Sequence, residues 1–389
     1  MNFGIICEFN PFHSGHKYLF DQARELGAKN IVCAMSGNSV QRGELAVLDK
    51  YLRAKSALEN GADLVFELPF PWSSASAEYF ATAGIKILAP YCDAVIFGSE
   101  CGDVELLRRA AENALTVEFC EKLEKRKKNG EGSASAYFSL LEECVGVKLS
   151  SNDILGVEYI KAAKKYGFKL DFYTIKRRGN AYRDNGIHDG EIPSASAIRK
   201  VLRSGNEAEI LQIKNYTCNS IDSLLNSDVI TDIKLLERAL LMHFRLCEPS
   251  EISCYAEADG GIAERICSAA KDSSDINGFW EAVKTKRYTD AKLSRAILFS
   301  LTRVKRELLV SSPEYTRLLA ANNNGRELLS SVKKNCTDNR IPVVTKPADV
   351  PRNSAQLKAE ERLDAIFSLA REQSLTMGEA YKKNAFIIK

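Results

Sequence analysis

From residue 1 to about residue 200, short runs of β-branched and other apolar residues alternate with longer amphipathic stretches. This alternation is typical of parallel βαβ units, because two parallel strands need a crossover, usually a helix, between them. Strands are predicted at residues 3–8, 30–35, 64–67, 94–97 and 169–175. Helices are predicted at residues 15–26, 49–60, 74–88, 104–126, 134–144 and 154–166. The sequence therefore predicts an α/β fold with a doubly wound, Rossmann-like parallel sheet.

After about residue 205 the β-rich runs fade and helical periodicity dominates. Helices are predicted at residues 230–246, 291–309, 314–319, 325–334 and 355–372. Residues 340–347 contain two prolines and are predicted to form a crossing loop. A length of 389 residues suggests about two domains. We place the first at residues 1–204 and a mostly α-helical second domain at residues 205–389.

The composition, with 45% hydrophobic and 27% charged residues, indicates a soluble globular protein. A net charge of +3 gives no global attraction to nucleic acid, so such a role needs a local basic patch. The N-terminus lacks signal-peptide features and no long uncharged apolar run occurs, so we expect a cytoplasmic protein without membrane association. The eleven cysteines include no C-x-x-C pair, and free, mostly buried thiols are expected. The oligomeric state is not predicted.

Two of the four histidines, His13 and His16, directly follow the first predicted strand. Ligands of doubly wound sheets bind at the carboxyl ends of strands, where the strand order reverses. A helix beginning near Ser14 would offer free backbone N–H groups and a positive dipole end, and Gly15 would allow a nucleotide to approach closely. The two imidazoles would then donate hydrogen bonds to phosphate oxygens as charge builds at the α-phosphate.

Two other interpretations of the histidine pair remain open. His13 and His16 can be a capping pair or surface residues, as a lone H-x-x-H often is. They can also ligate zinc, although the only nearby soft ligand is Cys7, which lies within the predicted strand.

A second polar segment, Pro193-Ser194-Ala195-Ser196-Ala197-Ile198-Arg199, follows Ile192 and resembles a helix start. Its hydroxyls and first-turn amides would face an anion. Taken alone, a Ser-x-Ser helix cap is common and needs no ligand.

Together the two segments resemble the signatures of the class I synthetase-like HIGH nucleotidyltransferases. His13-Ser14-Gly15-His16 resembles H-x-G-H, and the segment ending at Arg199 resembles I-S-S-T-x-I-R. Pro193 and Ala195 depart from that pattern and Ser196 stands where Thr is usual. The hydroxyl contacts to the β- and γ-phosphates are therefore retained only in part, whereas Arg199 is retained.

More narrowly, the N-terminal run from Gly4 to His16, followed by Met35-Ser36-Gly37-Asn38-Ser39-Val40-Gln41-Arg42-Gly43-Glu44, resembles the tRNA(Met) cytidine acetate ligase family. The segments around residues 63–69, 97–100, 151–156 and 176–178 resemble it too. The resemblance implies an enzyme that uses ATP and acetate to make N4-acetylcytidine at the wobble position of elongator tRNA(Met), releasing AMP and pyrophosphate. The first domain would then bind ATP and the helical domain tRNA.

By position, the resemblance implies specific site residues. The implied catalytic residues are His13, His16, Ser194, Ser196 and Arg199. The implied ATP contacts are Ile6, Cys7, Glu8, Phe9, Asn10, Pro11, Phe12, His13, Ser14, Gly15, His16, Lys17, Tyr18, Leu19, Gly98, Asn152 and Arg177, with Arg178 beside them. Magnesium is expected to accompany ATP, but no carboxylate pair indicates a protein-built metal site; Glu8 and Glu67 are only weak candidates.

Two basic stretches are candidate tRNA surfaces, and each can equally be a solvated helix face. One comprises Lys284, Lys286, Arg287, Lys292, Arg295, Arg303, Lys305 and Arg306, with Tyr288; the other comprises Arg42, Lys50, Arg53 and Lys55. Two other functions remain open. One is an adenylyltransferase acting on a small phosphorylated substrate, which the large helical part disfavours. The other is a nucleotide-responsive RNA-binding protein without catalysis.

Overall fold

An eight-stranded sheet organises the computed structural model, which describes residues 1–177, 193–217, 227–335, 340–376, 378 and 382–388. Its strands are β1 (Asn2–Cys7), β2 (Asn30–Ser36), β3 (Leu64–Leu68), β4 (Ala94–Ser99), β5 (Asp171–Lys176), β6 (Thr316–Ala321), β7 (Val343–Val344) and β8 (Phe386–Ile387). The spatial order is β5-β4-β1-β2-β3-β6-β7, with β8 paired to β6. The first five strands are parallel. The predicted doubly wound sheet and its five strands are therefore confirmed.

The strand order reverses between β1 and β4, because the chain builds β1 to β3 on one side and then β4 and β5 on the other. Both faces of the sheet are covered. On one face Phe3 and Ile5 pack in a core with Phe20 and Ala54, and on the other Ile6 packs with Phe80 and further helix residues. Burial on both faces explains why these strands are almost continuously apolar. The reversal point marks the edge where a ligand site is expected.

The helices predicted up to residue 204 are present with one exception, and a further helix, at residues 207–212, follows. They are α1 (Ser14–Glu25), α2 (Lys50–Glu59), α3 (Ala77–Leu88), α4 (Val104–Ala114), α5 (Val117–Lys128), α6 (Ser133–Val145), α7 (Ser151–Tyr166), α8 (Ala195–Ser204) and α9 (Glu207–Gln212). The single helix predicted over residues 104–126 is wrong, since it is two helices. Thr116 separates them: its Oγ1 donates to the Asn113 carbonyl oxygen at 2.8 Å and accepts from the Phe119 N–H at 3.2 Å, which caps α5.

The remainder of the chain is mostly helical, as predicted. Its helices are α10 (Glu237–Leu246), α11 (Pro249–Ile252), α12 (Ile262–Asp272), α13 (Ile276–Val283), α14 (Asp290–Thr302), α15 (Arg306–Val310), α16 (Asn323–Asn335) and α17 (Ala355–Leu369). The helix predicted at residues 314–319 is wrong, because this segment forms β6, antiparallel to β3. The single helix predicted at residues 291–309 is also wrong, since α14 ends at Thr302, Arg303 has a φ of +55°, and α15 begins at Arg306. The predicted crossing loop at residues 340–347 contains β7, whose Val343 pairs with Thr316. The division at residue 204 stays a prediction, and the second part supplies strands to the sheet.

Buried charged residues join the sheet to α17. Lys50 Nζ lies 2.8 Å from Glu67 Oε1, and both side chains are almost fully buried. Arg317 pairs in the same way with Glu360 of α17 at 2.7 Å. Asn38 Nδ2, in the loop after β2, donates to Asp364 Oδ1 of α17 at 2.8 Å. Partnered charges of this kind tolerate burial, so the network holds α17 against the carboxyl ends of β2 and β3.

Across the described part of the chain, no helix has the length and apolar content needed to cross a bilayer.

Candidate nucleotide-binding site

The histidine pair lies at the start of α1, immediately beyond the carboxyl end of β1. The helix begins at Ser14, as predicted, with His13 as its N-cap. Phe9, between strand and helix, has a φ of +45°, a value that side-chain-bearing residues rarely adopt. Its ring contacts the imidazole of His16 edge-on, with centroids 4.8 Å apart. The turn thus holds both histidines at the point where the strand order reverses.

Hydrogen bonds to the backbone orient both imidazoles. The Gly15 N–H donates to His13 Nδ1 at 3.0 Å, and the His13 N–H donates to His16 Nδ1 at 3.2 Å. The two rings are tilted by 30° to each other, with their centroids 3.9 Å apart. Because Nδ1 of each ring accepts, the neutral form carries its proton on Nε2. Each imidazole therefore presents an Nε2–H donor.

Both imidazoles are kept neutral by their surroundings. Burial lowers the pKa of His13 from 6.5 to about 4, and the positive charges of Arg177 and Arg199 act in the same direction. Burial likewise lowers the pKa of His16, assisted by His13 and Arg177. Two neutral donors beside two guanidinium groups can stabilise an anion without a proton being transferred.

The pKa of His13 predicts a pH dependence of stability. The unfolded chain takes up a proton at His13 near pH 6.5, whereas the folded protein does so only near pH 4, so acidification between these values favours unfolding. We expect protonation of His13 alone to lower the free energy of unfolding by about 3 kcal/mol when the pH falls across this interval. The free energies of unfolding of the wild type and His13→Gln, measured by urea titration, should therefore approach each other by that amount between pH 6.5 and pH 4. A difference between the two proteins that does not change with pH would contradict the buried neutral imidazole.

The expectation that the first turn of α1 offers free backbone N–H groups is wrong. The Ser14 N–H donates to the Tyr216 carbonyl oxygen at 2.8 Å, and the His16 and Lys17 N–H groups both donate to the His13 carbonyl oxygen. The Gly15 N–H is taken by the His13 side chain. The local partners belong to His13, and the distant one is Tyr216, in the segment after α9. A local sequence pattern could not predict this distant contact. The donors left for a ligand are therefore side chains.

Two buried side-chain atoms at this turn have no hydrogen-bond partner among the described residues: Asn10 Nδ2 and Ser14 Oγ. Asn10 is 3% exposed, and its Oδ1 accepts from the Val47 N–H at 2.7 Å. Leaving a buried polar atom without a partner costs about 1–3 kcal/mol, which a ligand oxygen would recover. These atoms therefore fit the expected phosphate contacts, although the role of residues 6–19 in ATP binding stays a prediction.

The second segment meets the first through Arg199. One guanidinium nitrogen of Arg199 donates to the Asn10 carbonyl oxygen at 3.0 Å, and another donates to Ser196 Oγ at 3.1 Å. Ser194 is the N-cap of α8, with its Oγ accepting from the Ala197 N–H at 3.1 Å. The structure thus brings His13, His16, Ser196 and Arg199 together. Ile192 lies outside the described residues.

A third group of predicted contacts lies at the ends of β4 and β5 and in the first turn of α7. Asn152 Nδ2 donates to Glu100 Oε1 at 2.6 Å, and Arg177 Nε lies 3.6 Å from the same oxygen. A Cβ on Gly98 would lie 3.2 Å from Arg177 Cγ, so Gly98 leaves room for that side chain. Gly98, Asn152 and Arg177 therefore meet, whereas Arg178 lies outside the described residues.

Glu100 was missed by the sequence prediction, although its segment was recognised as similar to the family. It accepts from Asn152 and lies beside Arg177, and its Oε2 is buried with no partner among the described residues. An acidic oxygen available beside a nucleotide site can accept from a ribose hydroxyl.

The apolar members of the predicted ATP segment point into the core. Ile6, Cys7, Phe9 and Phe12 are buried, and only their backbone can contact a nucleotide. The Cys7 thiol donates to the Ala34 carbonyl oxygen at 3.7 Å, within the sheet. Burial raises the pKa of the Cys7 thiol well above its usual value, and the neighbouring Cys33 raises it further. The geometry therefore gives no support to a zinc site built from Cys7, His13 and His16.

Both carboxylates considered for magnesium already accept hydrogen bonds from the protein. Glu67 is paired with Lys50, and Glu8 Oε1 accepts from the Gln41 N–H at 2.9 Å. Burial raises the pKa of Glu8, partly offset by that hydrogen bond and by Arg199. No group of three His, Cys, Asp or Glu side chains suited to a metal ion occurs in the described ranges.

The loop that carries Gln41 also contacts the helical part. Gly43 has a φ of +80°, and a Cβ there would lie 2.6 Å from the Arg295 backbone nitrogen in α14. Because Gln41 binds Glu8 at the end of β1, this loop links α14 to the histidine turn.

Gly43→Ala is expected to destabilise the protein through both strain and contact. The positive φ costs about 1–2 kcal/mol, and the forced contact with backbone atoms adds about 1–3 kcal/mol. Gly130→Ala is the matched control, since its φ is +90° with open space around it, so only the first cost applies. Chemical denaturation measures both. If Gly43→Ala and Gly130→Ala lower the free energy of unfolding equally, the contact with α14 adds no cost and the prediction is wrong.

The basic surfaces need correction. Lys50 and Arg53 are buried, Lys50 on Glu67 and Arg53 with its guanidinium on the carbonyl oxygens of Leu48, Glu8 and Gly37, so neither can contact tRNA. Arg295 is paired with Glu257 at 2.8 Å and is also buried. Lys284, Lys286 and Arg287 are exposed and stay predicted contacts.

Comparison with known proteins identifies close similarities over most of the chain. The family model described as HIGH Nucleotidyl Transferase matches residues 1–381. A relative from Clostridium perfringens called tRNA(Met) cytidine acetate ligase is 34% identical over 368 residues, spanning 88% of this chain and 90% of its own. A relative of the same name from Acetivibrio thermocellus is 35% identical over 371 residues, spanning 89% and 88%.

Two solved structures share the fold. The apo structure of Thermotoga maritima TmcAL is 30% identical, with a TM-score of 0.89 and complete coverage of both chains. A structure of the same protein bound with alpha-thio ATP is 28% identical, with a TM-score of 0.85 and complete coverage of both chains. The resemblance drawn from the sequence is thereby confirmed. The chain belongs to the tRNA(Met) cytidine acetate ligase family of HIGH nucleotidyltransferases.

Proposed function

We propose that this protein uses ATP to ligate acetate to the N4 amine of the wobble cytidine of elongator tRNA(Met), with release of AMP and pyrophosphate. The observation that carries the proposal is the pair of neutral imidazoles whose Nε2–H groups remain available beside Arg199. The similar Thermotoga maritima protein was solved bound with alpha-thio ATP, which supports ATP as a substrate. The names of the curated relatives support the acceptor.

Acetate must be activated because its carboxylate is a poor electrophile. In the first step an acetate oxygen attacks the α-phosphorus, the bond from that phosphorus to the bridging oxygen breaks, and pyrophosphate leaves. In the second step the cytosine N4 attacks the carbonyl carbon of acetyl-adenylate, the bond to the phosphate oxygen breaks, and N4 loses a proton as AMP leaves. The protein's main contribution to the first step is position and electrostatics.

We assign the residues by their placement. His13 and His16 donate through Nε2–H to the oxygens of the α-phosphate, where charge grows in the transition state. Arg199, which donates to both Ser196 and Asn10, faces the departing pyrophosphate together with Ser196. Ser194 holds α8 in place as its cap. We place Gly98, Asn152, Glu100 and Arg177 at the ATP site as a second group of contacts, in which Arg177 adds positive charge near His13.

Magnesium, which commonly accompanies ATP, would be held by the phosphate oxygens. The carboxylates of Glu8 and Glu67 are committed to other partners, so we assign no protein ligand to it and no step of the reaction.

Acetate-dependent exchange of labelled pyrophosphate into ATP tests the first step, and AMP release with and without tRNA tests the second. The proposal predicts exchange with acetate alone and sustained AMP release only when tRNA is added. Pyrophosphate release with a small phosphorylated substrate and no need for tRNA would instead indicate an adenylyltransferase. ATP-dependent tRNA binding without exchange or AMP release would indicate a non-catalytic binder.

A further inference from the structure

A cleft of about 460 Å³ runs from the second signature helix to the helical part of the chain. One end is formed by Ser196 and Arg199 of α8, beside the proposed pyrophosphate site. The other end is formed by Ile276, Asn277 and Trp280 of α13. Its volume lies within the range of small-ligand sites, which is roughly 300–1,000 Å³.

Positive charge dominates the walls of this cleft. The cationic residues are Arg199, Lys200, Arg203 and Lys234, against Glu44 and Asp232. Asp232 is partly committed, since its Oδ1 accepts from the Lys234 N–H at 2.9 Å. Arg203 is oriented by a hydrogen bond from its Nε to the Thr231 carbonyl oxygen at 3.2 Å, which leaves its other nitrogens to face a ligand. The excess of positive charge favours an anion.

The far end of the cleft offers an aromatic surface. Trp280 is half-buried and packs edge-on against Phe279, with ring centroids 5.9 Å apart. Ile233 and Ile276 lie beside it in the cleft wall. An aromatic ring among apolar side chains, next to several guanidinium and ammonium groups, is the combination that proteins use to bind unpaired nucleotides.

We infer that this cleft binds a nucleotide of single-stranded RNA adjacent to the reacting cytidine, with its base stacked on Trp280 and its phosphate held by Lys200 and Arg203. The inference rests on the proposed function. If tRNA is the substrate, the RNA strand that carries the cytidine must pass close to Arg199, and the cleft begins there. Stacking does not discriminate strongly among bases, so the cleft would secure a neighbouring nucleotide while the active site selects the cytidine.

Tryptophan fluorescence gives a direct test. The chain contains two tryptophans, and Trp72 is only 1% exposed, so quenching by a stacked base reports on Trp280. An anticodon stem-loop RNA of tRNA(Met) should quench the wild type at concentrations where free CMP does not. Trp280→Ala should abolish the quenching and raise the Kd for this RNA roughly 5- to 150-fold, the range that alanine substitution of stacking residues gives. Trp280→Phe should retain most of the affinity.

A mutant cycle separates stacking from a general loss of folding. Stem-loops with one abasic nucleotide on either side of the wobble cytidine are bound to the wild type and to Trp280→Ala. One abasic position should weaken wild-type binding as much as Trp280→Ala does, with little further loss when both changes are combined. If the loss of affinity from Trp280→Ala and the loss from the abasic nucleotide add fully, whichever side of the cytidine is abasic, the inference is overturned. Quenching of the wild type by CMP at the same concentrations as by the stem-loop would also overturn it. Lys128→Ala, an exposed charge on α5, serves as the control for nonspecific electrostatics.

The outcomes distinguish this inference from the proposed function. Trp280→Ala should keep acetate-dependent pyrophosphate exchange at the wild-type rate while its KM for tRNA rises. Suppose that the wild type acetylates tRNA, that Trp280→Ala has the wild-type KM for tRNA, and that the RNA still quenches the fluorescence of Trp280→Ala. The cleft inference is then wrong and the proposed function stands. If exchange and acetylation are absent in the wild type, the function is wrong whatever the quenching shows.

Discussion

Replacing His16 by alanine is expected to slow acetate-dependent pyrophosphate exchange roughly 100- to 1,000-fold, the loss of about 2.7–4 kcal/mol that follows removal of one oxyanion-type donor. The imidazole is oriented by the His13 N–H and kept neutral by burial, which lowers its pKa, so its Nε2–H is positioned before ATP arrives. The loss should appear in kcat with little change in the KM for ATP, because the donor acts mainly on the transition state.

Two further substitutions separate catalysis from helix capping. Asparagine at position 16 can still accept near the place of Nδ1 but lacks the distal donor, and should remain slow. Glutamine extends an N–H donor toward the place of Nε2, and should recover part of the rate. If alanine keeps the wild-type exchange rate, or asparagine rescues as well as glutamine does, His16 acts as a cap and not as a phosphate donor.

Lys50→Met is expected to lower the free energy of unfolding by about 3–5 kcal/mol, the usual cost of leaving one partner of a buried ion pair alone. Lys50 Nζ lies 2.8 and 3.0 Å from the two Glu67 oxygens, and the lysine and glutamate side chains are 2% and 3% exposed. Burial alone would lower the pKa of Lys50, but the charge of Glu67 more than offsets it and raises the pKa. The lysine is therefore charged in the folded protein, and its loss leaves Glu67 without its counter-charge.

The matched control lies on the same helix. Lys55 pairs with Glu59 at 3.7 Å, with both side chains nearly half exposed, so Lys55→Met should cost less than about 1 kcal/mol. The double variant Lys50→Met with Glu67→Leu should recover much of the loss, because it removes the unpaired charge. Urea denaturation measures all three proteins. Similar losses at positions 50 and 55 would contradict the buried pair.

Local patterns predicted most of the fold. The five parallel strands are short apolar runs bounded by helical stretches, and each was identified from the sequence. The strand at Thr316–Ala321 was not identified, because its residues include the good helix formers Arg, Leu and Ala. It becomes a strand through pairing with Leu64–Leu68, about 250 residues away, and such a contact leaves no local sequence signal.

The site was predictable to a similar extent. Motif position placed His13, His16 and Arg199 together, and the helix start at Ser14 follows from the sequence. The hydrogen bond from the Ser14 N–H to Tyr216 depends on a distant segment, so the occupied helix end was missed. The burial of Lys50 and Arg53 was missed for the same reason, because it depends on Glu67 and on backbone carbonyl oxygens supplied by other elements.

Incubation of the purified protein with ATP, isotope-labelled acetate and tRNA(Met), followed by nucleoside mass spectrometry, tests the central claim most directly. The account predicts labelled N4-acetylcytidine at the wobble position, dependent on ATP and strongly reduced in His16→Ala. Unmodified cytidine in the presence of ATP, acetate and tRNA, from a protein that remains folded, would contradict it.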